Sequence, residues 1–571
     1  MSSFIGVYGK NDALKSEIKD IVSTPDFTFE NNSLFICSEG NPLNTHYYCN
    51  SDSTKGWISC GIGITSEHSP RVLKQEDWEK AFDEDVDLHQ DLNGHFAIIK
   101  WSDIEVEFFT DRLGMRNIFL HQNKDYVLFS TRLDWMLKLV EETDINWKLF
   151  GSNWLSINPF SSSCFINRID RLAQGGYAHI TESNLSFNNK RWIPKSFKSS
   201  PNEVIDSLQG FSSSAMNSFS KTSLGLSGGL DSRVLLALLA SKESFDLSLY
   251  TFDLNGHPDV TYATQINKHY VFKHEIIPIH TPESDVVHKL LSEITSRTML
   301  SSSIFHIEPL LGYRKLGDQN TISVDGGFGE IARRRYLKGI ELKARQAVFE
   351  KSIDGLLPYL STNKADIFSS EIVHEMKTGL FEELSIELES MPSAKEIGVG
   401  NWLDIFSIRS RCQNLSGLNQ ELIDETLFHI MPFVQPDFLD KLLRIPEKER
   451  VNAGLYRTII QDMAPSLSKI PLVKGDDVYP YWMKDISSMM WMKTKRKFEI
   501  GFKNTQNITL MLSLEEYIRD IFSSQEVREQ SFYDLKKIDY LITEFYKNRK
   551  VELVIQVGFM LSFEAFRKEV Y

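Results

Sequence analysis

The segment Leu224-Gly225-Leu226-Ser227-Gly228-Gly229-Leu230-Asp231-Ser232-Arg233-Val234-Leu235-Leu236 reads as an apolar strand, a Ser/Gly turn and a helix opening at about Asp231. At such a helix start, unpaired backbone N–H groups and the positive end of the helix dipole converge, while glycines let the main chain approach an anion closely. Phosphate is the natural guest. Ser227 and Ser232 add hydroxyl donors, and Asp231 can hold the Mg²⁺ that a polyphosphate brings with it. No lysine follows the turn as in a Walker loop, which disfavours kinase or GTPase chemistry. The plainer alternative is a strand-to-helix turn capped by Ser and Asp.

Outward from this turn, the runs Ser223 to Leu226, Leu247 to Phe252 and Thr321 to Val324 alternate with helical stretches, the pattern of an α/β layer with a parallel sheet. From Ser370 onward helical periodicity dominates. Upstream, residues 1–183 carry alternating segments such as His95-Phe96-Ala97-Ile98-Ile99-Lys100-Trp101 and Val106-Glu107-Phe108-Phe109, cut by turn residues as antiparallel strands are. Between the halves, Asn184 to Asn202 is mostly polar and proline-punctuated. The sequence thus predicts a β-rich domain at 1–183, a linker at 184–202 and a nucleotide-binding domain at 203–571.

Composition sets the wider frame. A chain of 571 residues with 42% hydrophobic and 25% charged residues is a folded protein of several domains. Its net charge of −14 is the wrong sign for coating nucleic acid. The longest aliphatic run, Val234 to Ala240, is far below the roughly 20 residues of a spanning helix, and Met1-Ser2-Ser3-Phe4 lacks the start of an export signal. These features predict a soluble, cytoplasmic protein with neither a membrane nor a nucleic-acid partner. Five scattered cysteines without a C-x-x-C pair, and 14 histidines without H-E-x-x-H, point to neither a disulfide framework nor zinc. The run Trp482-Met483 with Met489-Met490-Trp491-Met492 reads either as an apolar substrate surface or as ordinary core.

Ser227-Gly228-Gly229-Leu230-Asp231-Ser232 resembles the pyrophosphate loop of ATP pyrophosphatases, and its surroundings resemble the asparagine synthetase superfamily (class B-like) over most of the chain. The resemblance implies ATP and Mg²⁺ as cofactors, with Leu226, Ser227, Gly228, Gly229, Asp231 and Ser232 around the phosphates. Phe252, in Phe252-Asp253-Leu254-Asn255-Gly256-His257-Pro258-Asp259, falls where the family places a residue against adenine. Asp325-Gly326-Gly327-Phe328-Gly329-Glu330 falls where the family has Ser-Gly-Glu-Gly-x-Asp-Glu. Gly326 keeps its glycine, and Glu330 replaces the magnesium-binding aspartate with the same hard oxygen on a longer arm. Gly327 stands where synthetases have Glu, so a general base is sought elsewhere, at Asp325 or on the substrate. Arg333, Arg334 and Arg335 follow, either holding pyrophosphate or pointing mostly away from it. Lys474 follows Pro465 at nearly the spacing of the family's catalytic lysine, a flexible point cation suited to charge building on the α-phosphate.

In the first half, Gly94-His95-Phe96-Ala97, Asp111-Arg112-Leu113-Gly114, Phe129-Ser130-Thr131 and Arg171-Leu172-Ala173-Gln174-Gly175 look like the glutamine amidotransferase domain of asparagine synthetase. That domain acts through an N-terminal cysteine. Position 2 here is Ser2, and neither Arg-Gly-Pro-Asp nor Asn-Gly-Glu is found. The half therefore resembles the glutaminase-deficient branch, similar to β-lactam synthetases and lasso-peptide cyclases.

The resemblance implies an α/β + α+β chain: an N-terminal Ntn-hydrolase-like αββα sandwich, then an adenine-nucleotide α-hydrolase-like synthetase domain with a helical C-terminal part. It implies AMP-forming amide synthesis on a small-molecule or peptide carboxylate meeting an amine, with a biosynthetic partner protein as a further expectation. Ammonia-dependent asparagine synthesis and a non-catalytic nucleotide-binding scaffold are the alternatives. With no thiol at position 2, glutamine should not be hydrolysed; glutamate release that Ser2→Ala abolishes would overturn this.

Overall fold

Period-two alternation in the first half sorts side chains onto two faces, and the folded chain buries both. On the strand Leu92–Trp101, Phe96 and Ile98 pack with Trp78 of the helix Gln75–Asp83, while Ala97, Ile99 and Trp101 turn inward against Phe4, Ile36 and Phe108. On the strand Ser2–Gly9, Ile5 and Val7 belong with Leu14 and Ile18 of the helix Asp12–Ile21. This computed structural model describes residues 2–571 except 67–68, 85, 182–183, 196–197, 220, 242–245, 318–320 and 334–335.

Two six-stranded antiparallel sheets face each other. The strands are β1 (Ser2–Gly9), β2 (Phe27–Glu30), β3 (Leu34–Gly40), β4 (Thr45–Cys49), β5 (Gly56–Thr65), β6 (Leu92–Trp101), β7 (Glu105–Thr110), β8 (Ile118–Gln122), β9 (Tyr126–Ser130), β10 (Asp170–Leu172), β11 (Gly176–Thr181) and β12 (Asn184–Asn189). One sheet runs β10-β8-β9-β1-β3-β2 and the other β12-β11-β7-β6-β5-β4. The expected linker at 184–202 thus begins as an edge strand: β12 pairs with β11 from Thr181↔Asn184 to Gly176↔Asn189. Its Asn- and Ser-rich sequence suits an edge facing solvent, which is why it reads as a loop. Trp192 is buried, its N–H donating to Gln174 at 3.0 Å. The segment ends in the helix Pro201–Ser218, opened by a capping box between Ser200 and Glu203.

The second half is built on β13 (Lys221–Gly225), β14 (Asp246–Asp253), β15 (Lys273–Pro278), β16 (Ile322–Val324) and β17 (His429–Ile430). They form a parallel sheet in the order β15-β14-β13-β16-β17. The chain leaves β13 toward β14 and β15, then returns to lay β16 on the opposite side. That reversal opens a crevice at the carboxyl ends of β13 and β16, where open α/β sheets bind ligands. Helices such as Ser370–Ser390, Val399–Arg411 and Val554–Val570 make up most of the remainder, with a hairpin of β18 (Leu472–Lys474) and β19 (Asp477–Tyr479). The architecture is mixed α/β, antiparallel first and parallel second. No helix among the described residues is long and apolar enough to cross a membrane. Of the methionine-tryptophan run, Met483 and Met492 enter the core, whereas Trp482 and Met490 are exposed.

One buried turn carries two of the ion pairs between the halves. The buried Asp111 carboxylate accepts the N–H groups of Leu113, Met115 and Arg116 at 3.0, 3.1 and 2.9 Å, which aims Arg112 and Arg116 across the junction. Arg112 meets Asp437 at 2.8 Å and Arg116 meets Asp424 at 2.5 Å. Burial alone would raise the Asp424 carboxyl; Arg116 and His429 outweigh it and hold it below the usual range. That contribution is present above about pH 4 and is lost as pH falls through the lowered value. Arg116→Met leaves a buried carboxylate without its cation and should cost about 3–5 kcal/mol, read as a lower urea midpoint.

Candidate active site at the β13–β16 crevice

The turn after β13 is fastened by its own side chains. Ser232 Oγ accepts the Ser227 N–H at 3.1 Å and lies 3.0 Å from Ser227 Oγ, which in turn accepts the Gly229 N–H at 3.1 Å. The helix Leu230–Ala240 starts directly behind, so Leu226 to Ser232 curl around its N-terminus. Gly228 donates its N–H to Asp259 Oδ1 at 2.7 Å, tying the turn to the helix Pro258–Asn267.

The next residue carries a feature that motif reading missed. Arg233 is fully buried. Its guanidinium donates to the carbonyls of Leu467 (2.9 Å), Ile470 (2.8 Å), Gly228 (3.1 Å) and Pro471 (2.9 Å). Burial pushes it down to about 10, so it stays charged at neutral pH. An arginine in the apolar helix sequence Leu230 to Ala240 was the available signal, since such a cation must find buried acceptors. The bonds draw in the chain leading to β18: Val473 donates its N–H to Gly228 O at 2.9 Å. A Cβ on Gly228 would lie 2.3 Å from Val473 Cγ2, so only glycine permits this approach. Lys474, next along, is exposed at the edge of the turn. Lys469 is exposed within Pro465–Lys469, before the strand.

Across the crevice, the chain after β16 turns tightly. Gly327 donates its N–H to Asp325 Oδ1, and Phe328 adopts φ +68°. A bulky side chain in the left-handed region is the kind of backbone strain held at functional sites. Gly329 lies under Asp231, where a Cβ would be 2.6 Å from the Asp231 Cγ, and a Cβ on Gly326 would be 3.4 Å from the Ser232 nitrogen. Burial raises the phenols of Tyr250 and Tyr313; the Asp325 charge adds to this at both, and Tyr250 adds to it at Tyr313. Phe252 is half-buried at the end of β14, its ring 4.9 Å from that of Tyr313.

Glu330 accepts from Tyr336 Oη at 3.2 Å, and Asp231 pairs with the buried Arg333 at 2.5 Å. Burial opposes the Arg333 charge, but Asp231, Tyr456 and Glu330 raise the guanidinium above its ordinary value. The two carboxylates, Asp231 and Glu330, are oxygen donors of the kind Mg²⁺ takes, both acting on Arg333; among the described residues no set of three or more such ligands converges. Arg334 and Arg335 lie outside the described residues. Position 2 is different in kind. The buried Ser2 hydroxyl donates to Asn44 O at 2.7 Å and accepts from the Gly61 N–H at 3.0 Å.

Residues 203–306 match the asparagine synthase family model. The match covers β13, the phosphate turn, β14 and β15, and ends before Asp325 and Lys474. No curated protein matches the chain. Among solved structures, glutamine PRPP amidotransferase from B. subtilis is similar at 7% identity over 57% of this chain and 81% of its own, with a TM-score of 0.21. NMN synthetase from Francisella tularensis gives 19% identity over 39% and 92%, TM-score 0.18. NH3-dependent NAD synthetase from Campylobacter jejuni gives 11% over 34% and 97%, also at 0.18. At these TM-scores the likenesses carry no argument.

Arg233 offers a direct test. Lysine cannot reach four carbonyls from one nitrogen, so Arg233→Lys should lose about 1–3 kcal/mol of stability by thermal melting. Mg·ATP affinity, read by equilibrium dialysis, should weaken about tenfold, which the same 1–3 kcal/mol span covers.

Proposed function

We propose that this chain forms amide bonds with ATP through an acyl-adenylate, releasing pyrophosphate and AMP. The observation that carries the reading is the bond from Val473 N–H to Gly228 O, which sets Lys474 beside a family-matched phosphate turn. A substrate carboxylate oxygen attacks the α-phosphorus, the bond from that phosphorus to the bridging oxygen breaks, and pyrophosphate leaves. An amine then attacks the acyl carbon, AMP departs with the C–O bond's electrons, and the amine proton passes to a base. Leu226 to Gly229 and Ser232 cradle phosphates, Phe252 lies toward adenine, and Gly326 leaves the facing turn close to the Ser232 main chain. Asp231 and Glu330 would hold a Mg²⁺, which supplies charge neutralisation on the polyphosphate when bound. Lys474 offsets charge that grows at the α-phosphate. Asp325, which follows β16, is assigned the role of base.

The sandwich is read as an Ntn-like scaffold without glutaminase function, because the Ser2 hydroxyl is engaged on both sides within β1 and its neighbours. The amine then comes with the substrate, which favours a cyclase acting on a specialised metabolite or peptide in the cytoplasm. Ammonia as nucleophile is the variant of the same chemistry. The Arg333–Asp231 pair favours a second reading, a nucleotide-binding scaffold in which a guanidinium holds the metal's carboxylate.

Pyrophosphate release from Mg·ATP with candidate amino-carboxylates separates the two, since a scaffold releases none. In an active protein, Lys474→Ala should leave ATP affinity within a few-fold and cut turnover by roughly 10²–10³. Activity retained in Lys474→Ala but lost in Lys469→Ala would assign the role to the other lysine.

A further inference from the structure

His257 belongs to no part of the chemistry described above, yet it is buried between the two elements that the site must keep together. It caps the helix Pro258–Asn267, its Nδ1 accepting the Asp259 N–H at 3.2 Å. Through Asp259 Oδ1 that helix end holds the Gly228 N–H. On its other side His257 faces the hairpin turn after Lys474: Nε2 lies 3.7 Å from Asp476 Oδ1. Phe502 closes over it edge-on, with ring centroids 5.3 Å apart.

We infer that His257 is a positioning residue, a proton-dependent latch that holds the Lys474 hairpin against the phosphate turn. The inference rests on the assignment of Lys474 made above. In the neutral ring, Nδ1 accepts from the Asp259 N–H, and the Asp476 carboxylate near Nε2 meets no opposite charge on the ring, so the tie to the turn is weak. In the imidazolium, Nδ1–H faces Asp259 Oδ2, 3.3 Å away, and the cation lies between two carboxylates on the two elements. The charged groups acting on the ring are Asp259 from the helix and Asp476 from the hairpin. Burial lowers the ring's proton affinity, but Asp259, Asp476 and the Gly475 carbonyl outweigh it and raise the value above 6.5. The charged tie is therefore complete below about pH 6.5 and is lost as pH rises through the raised value.

Hydrogen exchange of the segment 472–479, with Mg·ATP present and rates normalised to intrinsic exchange at each pH, reads the latch without a substrate. Wild-type protection should fall severalfold between pH 6 and pH 9 as the charged tie is lost. His257→Asn keeps an acceptor for the Asp259 N–H but cannot reach the turn, and should be weakly protected at both pH values with Mg·ATP affinity within about threefold. Asp476→Asn keeps the histidine and should move the fall to lower pH; it carries the test alone if His257→Asn melts early. Wild-type protection and pH dependence in both variants would overturn the latch. A hairpin that loosens as expected while Lys474→Ala still releases pyrophosphate would retain the latch and reject the lysine assignment.

Discussion

A buried guanidinium, bonded to carbonyls alone among the described residues, ties the turn after β13 to the chain near residue 470. Arg233 has left water entirely, and its charge is met by carbonyl dipoles from Gly228, Leu467, Ile470 and Pro471. Burying a cation this way is tolerable only when its donors find acceptors in fixed places. The requirement acts in both directions. The phosphate turn cannot shift without stranding the cation, and the segment leading to Lys474 cannot swing away without exposing it. A planar fork suits the task because it reaches several acceptors at once. The Val473 bond to Gly228 and the His257 contacts then set the rest of the hairpin.

The first half is joined by the same device with the signs reversed. Asp111 gathers three backbone N–H groups, which fixes the turn from which Arg112 and Arg116 reach Asp437 and Asp424. Arg171, also buried, adds bonds to Asn117, Asn414 and the Gln413 carbonyl. The sandwich is thus anchored beneath the parallel sheet by arginines whose partners lie in the other half.

The strand–turn–helix at Leu224 to Leu236 was legible because its signals are local: strand, glycines, hydroxyls and helix start lie within a dozen residues, and the parallel strands follow from their alternation with helices. Alternation also exposed the β-rich half. What stayed hidden was set by distance along the chain. Arg233 and its acceptors near residue 470 share no pattern, and the pairing of Asp231 with Arg333 depends on how the turn after β16 folds back. His257 reads as one polar residue in a loop until the hairpin is placed beside it. The strand Asn184–Asn189 escaped because an edge needs no apolar face, so its composition matches that of a linker.

The bonds of Arg233 also bear on the order in which the site comes into being. The chain leaves the ribosome from its N-terminus, and the acceptors at Leu467, Ile470 and Pro471 emerge more than 200 residues after the arginine. Once β17 has emerged, the sheet can form while the turn at Ser227–Ser232 still lacks the backbone that braces it. A nascent chain halted before this point holds a nucleotide motif in sequence but no braced turn in space. Completion of the braced turn is thereby tied to completion of most of the polypeptide.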